Sequence, residues 1–458
     1  MVTNGCAQPS STRPNVVFIF ADQLRYQATA FGGDPNVLTP YLDELAAESL
    51  HFTTAVSGCP VCSPARASLL TGQYPDRHGV FFNDAPLSNQ AVTLAEVFQE
   101  AGYQTAYIGK WHLNGPDRSA YIPEDSRQGF EFWKAYGVSH IYNQSPYYDN
   151  NDPTPHIWEG YDAIAQTTVA REFLLMQAKS GPFLLMLSWG PPHPPYDTAP
   201  EAYKQPYDPD HLALRPNVPS QVVDEARQAL SGYYAHISVL DNQIGLLLET
   251  LRDSGLEDNT IVVFWSDHGD MLGSHAQWDK QRPWDESILV PLLIHYPNVF
   301  GKQGRLIETP INTADLMPTL LGLCGLEIPA TIDGLNFAPF LRGEATAPED
   351  AALIACYHPF ANFSKIDGGR EYRGIRTLQY TYVRDLDGPW LLYDNQQDPY
   401  QLNNLIGQAS YADTEADLDQ KLNQLLARIN DQFLSDNAYL EMWGYETDER
   451  GRMMNSIQ

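Results

Sequence analysis

Cysteine is rare in this sequence, and so are basic residues and long hydrophobic runs. Five cysteines in 458 residues, an odd number, argue against the dense disulfide framework of a small secreted protein. Cys59 and Cys62 form a Cys-x-x-Cys pair, which alone fits redox chemistry or half of a zinc site. No second Cys or His pair at zinc-finger spacing follows it. Cys6, Cys324 and Cys356 are predicted to be buried apolar residues.

The charge balance and the hydropathy argue against several partners. With 28 Lys and Arg against 57 Asp and Glu, the formal net charge is −29, which disfavours nucleic acid and anionic membranes. No apolar run is long enough for a membrane span, and residues 1–13 lack the hydrophobic core of an intact signal peptide. Gly5 and Cys6 resemble the remnant of a lipoprotein cleavage site. The location therefore stays open between a periplasmic or secreted protein whose signal has been removed and a cytoplasmic one.

The sequence does have enough apolar material for a large core, with 43% hydrophobic and 12% aromatic residues. Four segments, of which three are nearly continuous apolar runs, are predicted as buried parallel strands: residues 15–21, 103–108, 182–189 and 260–266. Helical patterns lie between them, at residues 40–49, 93–101, 167–178 and 222–251. This alternation predicts an α/β fold with a mostly parallel central sheet sandwiched by helices.

The pattern changes at about residue 351. Short segments with Gly-Gly and Asp-Gly turns predict antiparallel strands, followed by a helix: residues 374–378, 380–385, 390–394 and 415–433. We therefore expect a catalytic domain at 13–350 and a smaller C-terminal α+β domain at 351–458. The Pro-rich stretch 142–155 and the segment 191–219 are predicted as long loops that wall a site.

Polar side chains follow all four predicted strands. In chain order they are Asp22 and Gln23, Lys110 and His112, His193, and Asp267 and His268. In an open α/β sheet, ligands bind beyond the carboxyl ends of the strands, so these side chains are predicted to meet at one edge. A single Asp after a strand is usually a turn former, but four strands that all deliver polar groups predict a site.

Four of these residues offer the donors of a hard cation. Asp22, Gln23, Asp267 and His268 supply mainly oxygen atoms and one imidazole, whereas zinc would favour more nitrogen or sulfur. The sequence therefore predicts Ca²⁺, with Mg²⁺ or Mn²⁺ as alternatives. Gln23 is interpreted either as a ligand or as a hydrogen-bond partner of one, and His268 either as a ligand or as a donor beside one.

Residues 62–72, Cys-Ser-Pro-Ala-Arg-Ala-Ser-Leu-Leu-Thr-Gly, predict a helix that is capped by Ser63, has Pro64 in its first position and ends at Gly72. Cys62 then lies at a helix N-terminus, where free N–H groups favour an anion, and Arg66 lies one turn further along. Taken alone, these features also fit an ordinary capped helix with a buried cysteine.

This segment resembles the Cys-x-Pro-x-Arg signature of the type I sulfatases of the alkaline-phosphatase-like superfamily. Further likenesses are Gly-Lys-Trp-His at 109–112, Pro-His-Pro at 192–194, the run at 266–275, and Trp-Asp-Lys at 278–280. The resemblance extends from about residue 13 to 405. The sequence departs from the family pattern at Gln23, where many members have Asp, and at Ala65, where Ser is common.

The resemblance implies that a separate, formylglycine-generating maturation enzyme oxidises Cys62 to formylglycine. The hydrated aldehyde would attack sulfur, and its second hydroxyl would then expel sulfate by collapse to the aldehyde. The resemblance also assigns roles to the site residues. These are the cation ligands Asp22, Gln23, Asp267 and His268; Arg66 and Lys110, which steady the nucleophile and the sulfate; His112, which assists the collapse; and His193 and Lys280, which bind sulfate and protonate the leaving oxygen.

The predicted activity is hydrolysis of a sulfuric ester, either of a sulfated carbohydrate or of an aryl sulfate. A phosphodiesterase or phosphonate monoester hydrolase on the same scaffold is the nearest alternative, because such relatives can share the signature. An inactive relative that binds sulfated glycans is a second alternative, although a binder does not need Cys62. A thiol redox protein is a third, but it would need a thioredoxin-like context that this chain lacks.

The polar-aromatic segments 137–152 and 193–215 suggest a sugar-binding cleft. His140, Tyr142 and Tyr148 are predicted to wall it, with packing of these loops against the C-terminal domain as the alternative. The sequence does not predict which sugar is bound, the position of the sulfate, exo or endo cleavage, or the oligomeric state.

Overall fold

The computed structural model describes residues 13–454. Cys6 and the Gly5–Cys6 pair lie outside the described residues. Cys59, Cys62, Cys324 and Cys356 are buried and free, which confirms the expectation for Cys324 and Cys356. No helix of the described part of the chain is long and apolar enough to cross a membrane.

The strands of the described residues are β1 (Asn15–Asp22), β2 (Leu50–Phe52), β3 (Ala55–Val56), β4 (Gln104–Lys110), β5 (Phe132–Tyr136), β6 (Pro146–Asp149), β7 (Asp152–Ile157), β8 (Phe183–Pro192), β9 (Thr260–Ser266), β10 (Leu292–His295), β11 (Arg305–Ile307), β12 (Ile311–Asn312), β13 (Ala351–Cys356), β14 (Tyr372–Thr377), β15 (Tyr380–Asp385) and β16 (Gly388–Asp394).

The α-helices of the same part of the chain are α1 (Pro40–Ala47), α2 (Cys62–Thr71), α3 (Pro75–His78), α4 (Leu94–Glu100), α5 (Asp162–Gln177), α6 (Glu201–Lys204), α7 (Val223–Asp253), α8 (Asp285–Ile288), α9 (Pro297–Phe300), α10 (Leu316–Cys324), α11 (Ala338–Leu341), α12 (Ala412–Ile429) and α13 (Asp436–Trp443).

A large mixed sheet forms the centre of the molecule, in the order β11-β2-β10-β9-β1-β8-β4-β5-β6-β7. The strands β9, β1, β8, β4 and β5 are parallel to one another, so the predicted parallel sheet is confirmed and its four predicted strands are neighbours. The antiparallel strand β10 and the hairpin β6–β7 extend it towards the two edges. The sheet therefore aligns the carboxyl ends of the four predicted strands, as the argument from the sequence requires.

Both faces of the central sheet are covered. In β1 the side chains alternate, with Val16, Phe18 and Phe20 in one buried apolar cluster and Val17 and Ile19 in the other. Helices α2, α4 and α10 contribute to the first cluster, and α1, α5 and α7 to the second. Burial on both faces explains why β1 and β8 read as continuous apolar runs rather than as alternating ones.

A small antiparallel sheet, β13-β14-β15-β16, stands apart from the central one. One of its faces packs against α12, and the other contacts Ile288 and Leu289 next to the central sheet. The smaller C-terminal α+β unit with a short antiparallel sheet is thus confirmed as part of the fold. The division into domains at residue 350 stays a prediction.

The stretch 142–155 is not the plain loop that its prolines suggested, because most of it forms the hairpin β6–β7. Strand β7 contains Pro153 and Pro155 and is exposed along most of its length at the edge of the sheet. Proline removes a backbone N–H donor, which an edge strand tolerates because one side of it has no partner strand. Segment 191–219 begins with the last two residues of β8 and otherwise contains only the four-residue helix α6 and short 3₁₀ turns.

Candidate active site

The site lies where four neighbouring parallel strands end. Strand β1 ends at Asp22 and β4 at Lys110, while His193 follows β8 and Asp267 follows β9. Gly109 has a φ of +106°, and a Cβ at this position would overlap the Ser188 carbonyl oxygen of β8. Glycine therefore allows β4 and β8 to approach closely, which places Lys110 beside Asp22.

Helix α2 places Cys62 at the site, but it begins two residues earlier than predicted. Cys62 is its first residue, and Ser63 does not cap the helix, because its hydroxyl donates to the His112 carbonyl oxygen at 2.8 Å. The Ser63 backbone N–H instead donates to the Asn83 side chain at 3.1 Å, which replaces the missing cap. Gly72 ends the helix in a left-handed conformation, as predicted.

Four potential ligand atoms lie together at the site, and the Cys62 sulfur is one of them. The side-chain atoms of Asp22, Cys62, Asp267 and His268 that could bind a metal ion lie within 4.8 Å of one another, and all four residues are buried. His268 Nε2 is 3.7 Å from Oδ1 of each carboxylate and 3.2 Å from Cys62 Sγ. Gln23 belongs to the same group, since its backbone N–H donates to Asp267 Oδ1 at 3.0 Å.

The two oxygen atoms of each carboxylate face different partners. The Oδ2 atoms of Asp22 and Asp267 accept hydrogen bonds from Arg66, and Asp22 Oδ2 also accepts one from Lys110. The Oδ1 atoms face the His268 imidazole. Arg66 is 1% exposed and binds the Oδ2 atoms, so it fixes the orientation of both carboxylates from the side opposite to His268.

The donor set fits a divalent hard cation. His268 Nδ1 donates to the Gly269 carbonyl oxygen at 2.9 Å, which leaves the lone pair of Nε2 free to bind a metal ion. Gln23 Nε2 donates to Asp270 Oδ2 at 2.7 Å, which turns Oε1 towards Lys280 and Cys62. Gln23 also has a φ of +70°, an unusual conformation for a residue other than glycine.

Cationic groups surround the Cys62 thiol. Lys280 Nζ lies 3.2 Å from Cys62 Sγ and 2.8 Å from Gln23 Oε1. Burial opposes ionisation of Cys62, but Lys110, Lys280 and His268 outweigh it and hold the pKa of the thiol well below its ordinary value. The position of the sulfur therefore stabilises negative charge, as a nucleophile and an anionic substrate both require.

His112 is fixed by an acid that the sequence did not single out. Its Nε2 lies 3.1 Å from Asp84 Oδ1, and Arg118 binds both oxygens of the same carboxylate at 2.8 and 2.7 Å. His112 has a φ of +60° and is 3% exposed. The bonds from His112 and Arg118 overcome the effect of burial and lower the pKa of Asp84, which keeps it ionised.

His193 and His140 form a stacked pair on the opposite side. Their ring centres are 4.1 Å apart, and His193 Nδ1 donates to the Pro194 carbonyl oxygen at 2.8 Å. Burial, together with the nearby Lys280, holds the pKa of His193 well below its ordinary value, and burial lowers that of His140 to about 3. Both imidazoles are therefore neutral when no anion is bound.

A cavity of about 440 Å³ opens above these groups. Of the predicted site residues, Cys62, Lys110, His112, His140, His193 and Lys280 line it. Tyr142 and Tyr148 do not: the Tyr142 hydroxyl donates to the His193 carbonyl oxygen at 2.7 Å, and the Tyr148 hydroxyl donates to that of Ser119 at 2.8 Å. Both tyrosines pack inside the protein and hold the loops that form the wall, and their hydrogen-bond partners precede the C-terminal region that the alternative interpretation named.

The outer wall of the cavity comes from segments that the sequence did not point to. These lining residues are Asn83, Asp84, Arg118, Asp279, Gln281, Phe360, Ala361, Asn362, Arg452 and Met453. Several of them belong to the C-terminal region, far along the chain from the signature. Only Asp279 lay inside a motif, the Trp-Asp-Lys at 278–280, and nothing local to the others distinguished them.

Comparison with known proteins identifies the family. The family model described as Sulfatase matches residues 14–326, and one described as N-sulphoglucosamine sulphohydrolase, C-terminal, matches residues 273–428. The chain is 46% identical over 444 residues to the ulvan-active sulfatase of Formosa agariphila, covering 96% of this chain and 86% of that protein. It is 32% identical over 475 residues to the endo-4-O-sulfatase of Bacteroides thetaiotaomicron, covering 88% and 90%.

Solved structures have the same fold. One, a protein in complex with its substrate D-glucosamine-2-N,6-O-disulfate, has a TM-score of 0.78 and 26% identity and covers 92% of this chain and 99% of that one. Another, the phosphonate monoester hydrolase of Agrobacterium radiobacter, has a TM-score of 0.75 and 27% identity over 96% and 99%. The family model and the 46% identical relative both extend over most of the chain, which belongs to the sulfatase family and is a sulfatase.

Proposed function

We propose that this sulfatase removes sulfate from a sulfated glycan, with formylglycine at position 62 as the nucleophile and Ca²⁺ as the metal ion. The observation that carries the proposal is the position of Cys62, at the bottom of the cavity and 3.2 Å from both Lys280 Nζ and His268 Nε2. Mg²⁺ and Mn²⁺ would suit the same oxygen-rich donors. A maturation enzyme that oxidises Cys62 is the partner that this proposal requires.

The glycan part of the proposal is supported by the relatives. Two have names that refer to ulvan and to endo-4-O-sulfate cleavage, and a third was solved with a disulfated glucosamine. The wide cavity with its polar wall has room for a sugar ring. An aryl sulfate is then a small probe that reaches the same catalytic groups.

Asp22, Gln23, Asp267 and His268 would hold the cation, which when bound polarises the sulfate oxygens. Hydrated formylglycine supplies one hydroxyl that attacks sulfur and a second that allows sulfate to leave. Arg66 keeps the two carboxylates aligned from behind.

The side chains of the cavity wall bind the sulfate and move protons. Lys110 and Lys280 place two ammonium groups beside position 62. Before conversion, the negative charge of Cys62 and Asp22 outweighs burial and raises the pKa of Lys280; after conversion, Asp22 and the bound sulfate would act in the same direction. Lys280 is therefore a charged donor to a sulfate oxygen or to the leaving oxygen. A bound sulfate would favour the protonated form of His193, so substrate binding itself prepares this residue to act as an acid.

His112 is positioned to exchange a proton with the group at position 62. Its Nε2–H is committed to Asp84, and its Nδ1 is buried without a hydrogen-bond partner among the described residues. Asp84 thereby selects the tautomer in which Nδ1 is the free basic nitrogen. This arrangement suits removal of a proton from a hydroxyl that replaces the Cys62 sulfur.

The test compares hydrolysis of 4-nitrophenyl sulfate and bis(4-nitrophenyl) phosphate by protein produced together with a formylglycine-generating enzyme. We expect the sulfate to be the better substrate in kcat/KM, and Cys62→Ala to lose at least about 10³-fold of that activity. Cys324→Ala, which also removes one buried cysteine, should retain it. A higher kcat/KM for the phosphodiester would instead favour a phosphodiesterase or phosphonate monoester hydrolase.

A further inference from the structure

The rim of the cavity has a cation that the chemistry at position 62 does not use. Arg452 lines the cavity and is exposed. Within residues 13–454 its guanidinium makes neither an ion pair nor a side-chain hydrogen bond. An unpaired guanidinium at the mouth of a substrate cavity is available to a ligand.

The other charges of the rim are already paired or otherwise engaged. Arg118 binds both oxygens of Asp84, so this pair is neutral as a whole. The Asp279 carboxylate accepts a hydrogen bond from the Asn362 amide, a combination that suits sugar hydroxyl groups. Arg452 therefore contributes a positive charge that no carboxylate of the described residues pairs with within 4 Å, in a protein of net charge −29.

The backbone holds Arg452 in this position. Asp448 N–H donates to the Arg452 carbonyl oxygen at 2.9 Å, and Ala361 N–H donates to that of Arg450 at 2.9 Å. The imidazole of His358 lies 2.8 Å from the Gly451 carbonyl oxygen. Gly451 has a φ of +71°, and a Cβ there would press against His358, so the turn before Arg452 requires glycine. The tail thus presents the guanidinium from a fixed turn.

We propose that Arg452 binds a second anionic group of the substrate, a carboxylate or another sulfate ester, in addition to the sulfate that is cleaved. The planar guanidinium makes two parallel hydrogen bonds to either group. This inference rests on the proposed function and narrows it: the preferred substrate is a glycan with more than one negative charge, rather than a monosulfated neutral sugar.

The experiment uses the full chain with formylglycine at position 62 and two probes. The first is 4-nitrophenyl sulfate, which has no second anionic group. The second is a mixture of ulvan oligosaccharides, which competes with 4-nitrophenyl sulfate so that its inhibition constant can be measured. The inhibition constant is measured for the untreated mixture and for the mixture after its carboxyl groups have been chemically reduced to alcohols. Parent protein, Arg452→Ala and the matched control Arg450→Ala are compared.

We expect Arg452→Ala to raise the inhibition constant of the untreated oligosaccharides about tenfold more than it changes KM for 4-nitrophenyl sulfate. Arg450 lies on the same tail and pairs with Asp367 at 3.4 Å, so Arg450→Ala should show no such difference. If the effect disappears with the carboxyl-reduced mixture, the second anion is a carboxylate; if it persists, it is a sulfate.

The same inhibition constant for Arg452→Ala and Arg450→Ala would overturn the assignment of Arg452. That failure is distinct from failure of the proposed function. If the proposed function were wrong, the parent protein would not hydrolyse 4-nitrophenyl sulfate itself.

Discussion

At the scale of single residues, the negative charges of Asp22 and Asp267 lie close together and need positive charge nearby. Burial raises the pKa of Asp267, and the neighbouring Asp22 raises it further, whereas the charges of Lys110 and Arg66 overcome burial to lower the pKa of Asp22. Two acids so close together oppose each other's ionisation when no cation is present. A divalent cation would remove this conflict and keep both acids ionised.

Asp84 should matter for the rate rather than for binding. Asp84→Asn keeps the shape but removes the charge that fixes the His112 tautomer, so we expect kcat for 4-nitrophenyl sulfate to fall about 10- to 100-fold, with a smaller change in KM. Steady-state kinetics measure both quantities. Asp125→Asn removes an exposed carboxylate elsewhere and should leave them unchanged, and equal kcat values for the two variants would contradict the positioning role of Asp84.

At the scale of elements, helix α5 begins with a buried acid. Asp162 is 2% exposed, and its Oδ1 has no hydrogen-bond partner among the described residues. Burial raises its pKa to about 7, although Ser145 and the Ala163 N–H favour the ionised form. In the unfolded chain the pKa of this acid is about 3.9. Between about pH 4 and 7 the folded state therefore binds more protons than the unfolded state, and this residue makes stability fall as the pH rises.

Asp162→Asn should remove that dependence on pH. Position 162 cannot ionise in the variant, so the variant should gain stability relative to the parent as the pH rises from 4.5 to 7.5. The free energy of unfolding of the variant minus that of the parent should increase by at most about 4 kcal/mol. Urea unfolding at the two pH values measures the difference. Asp125→Asn, an exposed acid, serves as the control. A difference between variant and parent that is the same at both pH values would show that Asp162 is already ionised in the fold.

Much of the central sheet could be predicted from sequence because its inner strands are buried on both faces. Residues 15–21, 182–189 and 260–266 are nearly continuous apolar runs, which are typical of strands that are covered on both faces. The edge strand β7 contains two prolines and is mostly exposed, so no apolar pattern indicated it. The start of α2 was misplaced by two residues, because the Asn83 side chain, distant in sequence, satisfies the Ser63 N–H. Tertiary contacts decided both cases.

The bottom of the site could be predicted and its wall could not. The four proposed ligands and Lys110 lie at or directly after the ends of strands of one sheet, and strand order brings them together. Arg452 and Phe360 reach the cavity through turns in the C-terminal region, whose position depends on how that region packs on the rest of the chain. No local pattern encodes such packing.

At the scale of the whole molecule, the proposed cation would link the site to overall stability. Its proposed ligands come from strand ends that are far apart in the chain, so only the folded state presents them together. Addition of Ca²⁺ at about 100 times its Kd should stabilise the fold by about 2.7 kcal/mol and raise Tm by several degrees relative to protein in EDTA. Thermal unfolding followed by circular dichroism measures this shift without any assay of activity.

Two variants test whether the shift comes from this site. Asp267→Asn should abolish most of it. Glu48 belongs to a different group of potential ligands with Glu257 and His295, and two cationic side chains already pair with Glu257 there. Glu48→Gln should therefore retain the full shift. The opposite result, loss of the shift in Glu48→Gln and its retention in Asp267→Asn, would place the cation elsewhere.

The most direct test of the account is the mass of the peptide that contains Cys62, measured in protein produced with and without a formylglycine-generating enzyme. Conversion replaces H₂S by O in this peptide, and we expect the converted fraction to rise with the maturation enzyme and kcat for 4-nitrophenyl sulfate to rise in proportion. Full activity in protein whose Cys62 is entirely an unmodified thiol would contradict the proposed nucleophile.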